Sequence, residues 1–418
     1  MINKKSIKVF LTGGWGYGNI GDDAIMMATL NSLHERIPHV EVIVTSFDPV
    51  ETRFHHSVDS LYSFHYFLDI RHLYGKLNAL RFMAWLIIRG IGIRASWILG
   101  SQFAKLINAL EESDTLLMAG GGYFNDRWRG SFISRLAEIW AGKATGKKVM
   151  IYGQTVGPFA SKLAAWILPS SLRNVDHIGY RDVQSERVLK KFGYPMDRAT
   201  LTADEANLLP LNQRNVPNQT TQKSPRVGVM IQKFRPYESA DGTEAFGEVK
   251  TVDEYVKRVV AALVSLHRKT SAEFVFLPST TWDTGFCGDV KKQVDSILGR
   301  TFEMISGEPI AKYVEQCRNV DVMLSTNMHP VILASAAGVP CIAISYFYKV
   351  DDFMDSVGLG NAVVRIDAVT EEGLVNAVLD ALSNHDVVTA RICSHLPAVR
   401  ERAEKNCEQF GRLVGLAA

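Results

Sequence analysis

The sequence predicts an α/β protein of two domains, each built on a parallel sheet with helices on both faces. Three observations carry that expectation. A chain of 418 residues is too long for a single core. Along it, short apolar runs alternate with stretches of helical period, the pattern of repeated strand–helix–strand units. Between two such runs, residues 208–226 are polar, proline-bearing and without apolar period, which reads as a linker. The expected division is an N-terminal domain over 1–207, a C-terminal domain over 227–389 and a closing helix over 390–418. Loops at the strand ends of two such domains should face a central cleft, the usual ligand position for parallel sheets.

In the first domain Ile7, Val9, Phe10 and Leu11 read as a buried strand, and Ala24, Ile25, Met27, Ala28, Leu30 and Leu33 as the stripe of the helix after it. The glycine-rich turn 13–23 joins them. Glycines at a strand end let a ligand approach the backbone, and amides at a helix start attract an anion. The dinucleotide fingerprint is excluded, because it needs an acidic residue about 20 positions further on. Here the next strand, 40–45, runs on to Asp48 just before Pro49. Asp22 and Asp23 at the helix start are placed to cap the amides themselves, so the turn reads as a sugar or anion site of another kind. A helical stretch over 66–112 follows, then a strand over 115–119 entering the loop 120–126. A helix over 131–145 leads to a strand over 148–152 and the loop 153–158, and a strand over 177–180 delivers Arg181, Asp182 and Ser185.

The second domain repeats the alternation. Strands are expected over 227–231, 273–277, 320–324 and 340–344, with helices over 252–267, 289–298, 310–318 and 330–337. Gln232, Lys233 and Arg235 follow the first of these strands, 278–283 the second, 325–330 the third and 346–349 the last. His329 at a helix start can titrate near neutral pH and act as acid or base. Histidine in such a place also serves simple local hydrogen bonding, and Arg235 and Lys349 taken alone read as surface charges. No GxSxG stands in the chain, which disfavours covalent acyl chemistry.

Hydrophobic residues at 47% and charged residues at 22% are ordinary for a soluble protein, and a net charge of +2 gives no argument for nucleic acid. The five cysteines have no CxxC spacing, which points to reduced thiols in a cytoplasmic protein and to no zinc site. The N-terminus lacks a signal-peptide core. Arg81, Arg89 and Arg94 interrupt the apolar stretch 77–99 too often for a spanning helix. That stretch suits either buried helices or a peripheral contact with anionic lipid at the inner face of a membrane.

Taken in order, Gly16-Tyr17-Gly18-Asn19-Ile20-Gly21-Asp22-Asp23-Ala24, Gly120-Gly121-Gly122, Gly153-Gln154-Thr155-Val156-Gly157-Pro158, Arg181-Asp182 with Ser185, and His329 with Gly338-Val339-Pro340 and Lys349 resemble the polysaccharide pyruvyl transferase family across nearly the whole chain. The resemblance implies two Rossmann-like domains in a GT-B-like arrangement. It also implies transfer of the pyruvyl unit of phosphoenolpyruvate onto a sugar of an envelope polysaccharide, exopolysaccharide or lipid-linked precursor as a ketal, with no further cofactor. Carried over, it makes His329 the catalytic acid or base and Arg235, Lys349, Arg181 and Asn327 the donor-binding residues. Gly18, Asn19, Asp22, Gly121, Gly122 and Asn125 would bind the acceptor. The family pattern Ser-x-Arg-x-His has arginine where this chain has Asn327. Two other readings are a GT-B glycosyltransferase using a nucleotide sugar, resting on Gly307 and the helix after it, and a non-catalytic protein of glycan assembly.

Overall fold

The computed structural model describes residues 6–127, 129–209, 224–239, 244–245, 247–306 and 309–416. Most of the expected linker 208–226, and Gly307, lie outside them. The chain divides into two units, one made of Met1–Tyr17, Asp22–Leu208 and Glu401–Ala418, the other of Gly18–Gly21 and Leu209–Arg400. The turn segment Gly18–Gly21 thus groups with the second unit, and the end of the last helix, His385–Leu413, with the first.

The first unit holds β1 (Ile7–Thr12), β2 (Val40–Ser46), β3 (Asp59–Tyr62), β4 (Thr115–Met118), β5 (Gly121–Phe124), β6 (Lys148–Val156), β7 (His177–Tyr180) and β8 (Ala199–Leu201). They form a parallel sheet in the order β3-β2-β1-β4-β6-β7-β8, with β5 paired to β6. Strands covered on both faces read as continuous apolar runs, and β4 and all but the first residue of β6 are buried throughout. Successive side chains alternate between faces. Phe10, Leu116, Met118 and Ile151 therefore pack against Phe82, Trp85, Phe103, Leu136 and Leu168 on one side. Val9, Leu11, Leu117 and Met150 meet Met26, Leu30, Leu33 and Phe410 on the other.

Three sequence expectations change here. The stretch 66–112 is broken into Phe64–Leu68, Leu73–Gly90, Ser96–Leu99 and Ser101–Glu112. The loop 120–126 contains β5, and the first four residues of the loop 153–158 are the end of β6. Gly153 has a further structural reason, shared with Gly179. Asn406 of the last helix donates from Nδ2 to Glu205 Oε1 at 2.6 Å and to the Ala203 carbonyl at 3.4 Å. A Cβ at Gly179 would stand 2.2 Å from its Oδ1, and one at Gly153 2.9 Å from its Nδ2. Both glycines make room for one buried amide.

The second unit holds β9 (Arg226–Met230), β10 (Tyr237–Glu238), β11 (Glu244–Ala245), β12 (Glu273–Phe276), β13 (Glu303–Met304), β14 (Val322–Ser325), β15 (Cys341–Ser345) and β16 (Val363–Arg365). Six make a parallel sheet in the order β13-β12-β9-β14-β15-β16, and β10 and β11 make a short antiparallel pair. Val227, Val229, Ile342 and Ile344 pack with Val259 and Leu263 of the helix Val252–Thr270. Both sheets change building direction beside their first strand, with β1 between β2 and β4, and β9 between β12 and β14. Loops leaving such a switch point diverge and leave a crevice at the carboxyl ends of the strands. The cysteines are free thiols, all buried except the partly exposed Cys393.

Candidate active site

In the second unit the switch point is stapled by Thr326. Its amide donates to the Met230 carbonyl at 2.9 Å, and its hydroxyl accepts from the Gln232 amide at 2.8 Å. The chain then turns into the helix Met328–Ala336, which carries His329 in its first turn. Asn327, just before it, does not cap that helix with its side chain. Its Nδ2 donates instead to Ser279 Oγ at 2.7 Å and to Asp283 Oδ2 at 3.1 Å. Thr280 caps the helix Thr281–Leu298 by accepting from the Asp283 amide at 3.1 Å, and its hydroxyl donates to Asp283 Oδ2 at 2.6 Å. Burial raises the Asp283 carboxyl above its ordinary range, while hydrogen bonds from Thr280 and Asn327 and the charge of Arg235 pull it back. Arg235 is exposed, with its guanidinium 5.0 Å from the centre of the Tyr346 ring, and Lys349 Nζ lies 4.8 Å from that of Phe347. Tyr346 and Phe347 stack on each other, so the two cations stand at one aromatic pair.

The segment Gly18–Gly21 completes this group. The Ile20 amide donates to the Ser279 carbonyl at 2.9 Å and the Thr281 amide to the Gly18 carbonyl at 3.0 Å. At Gly18 φ is +75°, and a Cβ there would stand 2.3 Å from Thr281 Cγ2. A Cβ at Gly21 would stand 2.0 Å from His329 Nδ1. Gly18 and Asn19, expected with an acceptor site of the first domain, therefore group with His329. The first two amides of the helix Ile20–Arg36, expected to be capped by Asp22 and Asp23, donate instead to the Ser279 carbonyl and, at 3.0 Å, to Asn19 Oδ1.

The first unit gathers a different set at the end of β1. Asp22 is 4% exposed and accepts from the Tyr17 hydroxyl at 2.7 Å. Burial pushes its carboxyl up to about 7 against the pull of Tyr17, Arg181 and Arg135. Burial, then the neighbouring Asp22, raises Asp23 to about 7 as well. Arg135 donates to Glu138 at 2.8 Å and to the Gly13 carbonyl at 3.2 Å, and lies 4.8 Å over the Tyr123 ring, so it anchors the turn from beneath. A Cβ at Gly14 would meet the Tyr123 ring at 2.8 Å and Asp22 Oδ2 at 3.2 Å.

Two residues expected to contact ligand have partners inside the first unit. Arg181 is buried in an ion pair with Asp204 and donates to Thr155 Oγ1 at 3.0 Å. Asn125 is 4% exposed and closes its own loop, donating to the Gly122 carbonyl at 2.8 Å and accepting from the Arg127 amide at 3.1 Å. Gly122 is exposed and Gly121, at φ +143°, is buried against Tyr123. Sequence reasoning gave no role to Ser279, Asp283, Tyr17, Tyr123 or Arg135. Thr280-x-x-Asp283 has the spacing of a helix cap and was the one local signal available. Among the described residues no cluster of His, Cys, Asp or Glu is arranged to hold a metal ion.

Two parallel sheets with such switch points recur in sugar-processing enzymes of the GT-B fold, and solved structures of that class are similar to this chain. S. aureus MnaA with UDP is 11% identical, covers 98% of each chain and has a TM-score of 0.61. UDP-GlcNAc 2-epimerase from Neisseria meningitidis is 10% identical over 97% of this chain and 100% of that one, with a TM-score of 0.60. A glycosyltransferase from Rickettsia africae is 9% identical over 99% and 100%, with a TM-score of 0.58. At these identities the likeness establishes the fold. The amylovoran biosynthesis protein AmsJ of Erwinia amylovora is 22% identical over 423 residues, which cover 92% of this chain and 94% of that protein. Residues 19–346 match the polysaccharide pyruvyl transferase family, and the chain belongs to it. It is a pyruvyl transferase acting on polysaccharide.

Proposed function

We propose that this protein takes the pyruvyl group from phosphoenolpyruvate and places it as a ketal on a sugar of an exopolysaccharide or its lipid-linked precursor. The observation that supports this most is His329 in the first turn after β14, at a switch point beside the loop that carries Arg235 and the helix start, after β15, that carries Lys349. Protonation of the methylene carbon of phosphoenolpyruvate makes C2 electrophilic. One sugar hydroxyl adds to C2, phosphate leaves with the C2–O bond, and a second hydroxyl closes the ketal. Of the two hydroxyl protons, one is balanced by the new methyl group and the other by phosphate. His329 serves as acid and base, and Arg235 and Lys349 hold the carboxylate and phosphate by charge. Asn327 orients the 279–283 loop, and Asp22, Gly121 and Gly122 belong to the acceptor side. A phosphoenolpyruvate donor goes with a cytoplasmic location.

The test is phosphate release from phosphoenolpyruvate in the presence of a crude lipid-linked glycan. His329→Ala should keep its circular dichroism spectrum and lose at least about 100-fold in turnover, the scale for removing a general acid or base. Turnover near that of the unmodified protein would remove His329 from the mechanism, and release that does not depend on glycan would remove the transfer.

A further inference from the structure

The helix Leu73–Gly90 has two apolar faces, and only one of them is used by the core. Gly75, Asn78, Phe82 and Trp85 are buried against the first unit. At about 100° per residue, Leu73, Leu77, Leu80, Ala84, Ile87 and Ile91 fall within about 80° of one another, centred about 160° from the buried set. All six are exposed, Leu80 and Ile87 at 70% each. The chain continues through exposed Ile93 to Trp97, which is 77% exposed. A second outward tryptophan, Trp166 at 78%, stands on the helix Lys162–Leu172, whose inner residues join the same core cluster as Phe82 and Trp85. A soluble surface has no use for such a stripe unless something covers it.

Charge identifies the cover. Between Asp69 and Glu111 the sequence has no Asp or Glu and six Lys or Arg, of which Arg71 pairs with Asp69 and Arg89 and Arg94 pair with Glu111. Lys76 and Arg81 flank the stripe on either side by the same helical geometry, and Arg94 is exposed in the turn before Trp97. Large apolar groups with basic side chains at their margins fit an interfacial helix lying in an anionic bilayer, with the cations reaching to the headgroups. No helix among the described residues is long and apolar enough to cross a membrane.

We infer that the outer face of Leu73–Gly90, continued through Trp97, seats this protein on an anionic lipid surface. The inference rests on the surface alone and stands apart from the identity of the donor. Purified full chain should float with vesicles of equal phosphatidylglycerol and phosphatidylcholine at low salt, and high salt should release it. Lys76→Gln with Arg81→Gln should weaken binding about 25-fold, two charges at about fivefold each. Leu80→Gln with Ile87→Gln should abolish flotation with an unchanged circular dichroism spectrum, since both side chains point away from the core. Failure to float with the anionic vesicles overturns the inference. So does equal binding to pure phosphatidylcholine, or a dimer by light scattering that dissociates in the Leu80/Ile87 variant, which would give the face to a second copy of the chain.

Discussion

Gly21→Ala tests the architecture of the second unit more sharply than removal of His329 does. Gly21 lies in the first turn of the helix Ile20–Arg36, where its φ is not positive, so alanine is conformationally welcome there. By helix propensity alone the change should stabilise by up to about 1 kcal/mol. The added methyl would nevertheless stand 2.0 Å from Nδ1, 2.2 Å from Cγ and 2.4 Å from Cε1 of His329. Carbon contacts settle near 3.5–4 Å, so the ring must move by more than about 1 Å. Displacements of that size cost about 100-fold where a catalytic group must meet a reacting atom. The expected outcome is a folded protein with turnover down about 100-fold and a thermal midpoint within a few degrees of the original. The control is the double variant with His329→Ala, which should be no worse than His329→Ala alone, because both act through one imidazole. Retained turnover in Gly21→Ala, or fully additive losses in the double variant, would refute the packing of Gly21 on His329 or the role given to the ring.

Three other outcomes are expected. Asp22 has its carboxyl raised to about 7 by burial, so protonation stabilises the folded state, and that contribution is lost as pH rises from about 4 through 7. Asp22→Asn should therefore match the unmodified protein near pH 4 and exceed it at pH 8 by on the order of 2–4 kcal/mol in urea denaturation, and a gap independent of pH would contradict this. Gly179→Ala should cost about 1–3 kcal/mol by forcing a Cβ onto Asn406, and adding Asn406→Ala should cost less than the sum of the two, as read from paired denaturation curves. Arg235→Ala should raise the Michaelis constant for phosphoenolpyruvate with a smaller effect on turnover, and Asn327→Arg should restore little of it, because the new guanidinium meets the Asp283 carboxylate first. No saturable phosphoenolpyruvate binding by calorimetry in the unmodified protein, but binding in Asn327→Arg, would point to another donor.

The sheets were legible because strands covered on both faces must be apolar nearly throughout, and the runs 7–11, 115–118, 148–152 and 341–344 say so directly. Their glycine-rich ends were not. Gly121 and Gly153 are poor strand formers with φ of +143° and +67°, conformations that favour glycine, yet they stand in β5 and β6. A glycine in sequence says that a Cβ is unwelcome and is silent about what takes its place. Gly153 and Gly21, in loops read as ligand sites, and Gly179, in a strand, make room for Asn406 and His329, partners far along the chain that no local pattern announces. The ion pair of Arg181 is silent in the sequence for the same reason, since its partner Asp204 arrives on a later segment of the fold.

Position 327 shows how such partners bear on function. Judged against its family's arginine, asparagine there looks like a lost grip on an anion. In the structure its amide spends both protons on Ser279 and Asp283, and so ties the loop after β12 to the turn after β14. That loop also holds Gly18–Gly21 through the Ile20 and Thr281 amides, and Gly21 packs on His329. The asparagine thus acts on the imidazole by two routes, as its near neighbour in sequence and through the loop it braces. An arginine at the same place would meet the Asp283 carboxylate first, and pairing there would neutralise much of its charge before any ligand arrived. On the proposed reading the donor's charge therefore falls to Arg235 and Lys349. Arg235 rests on the face of Tyr346 and Lys349 on that of Phe347.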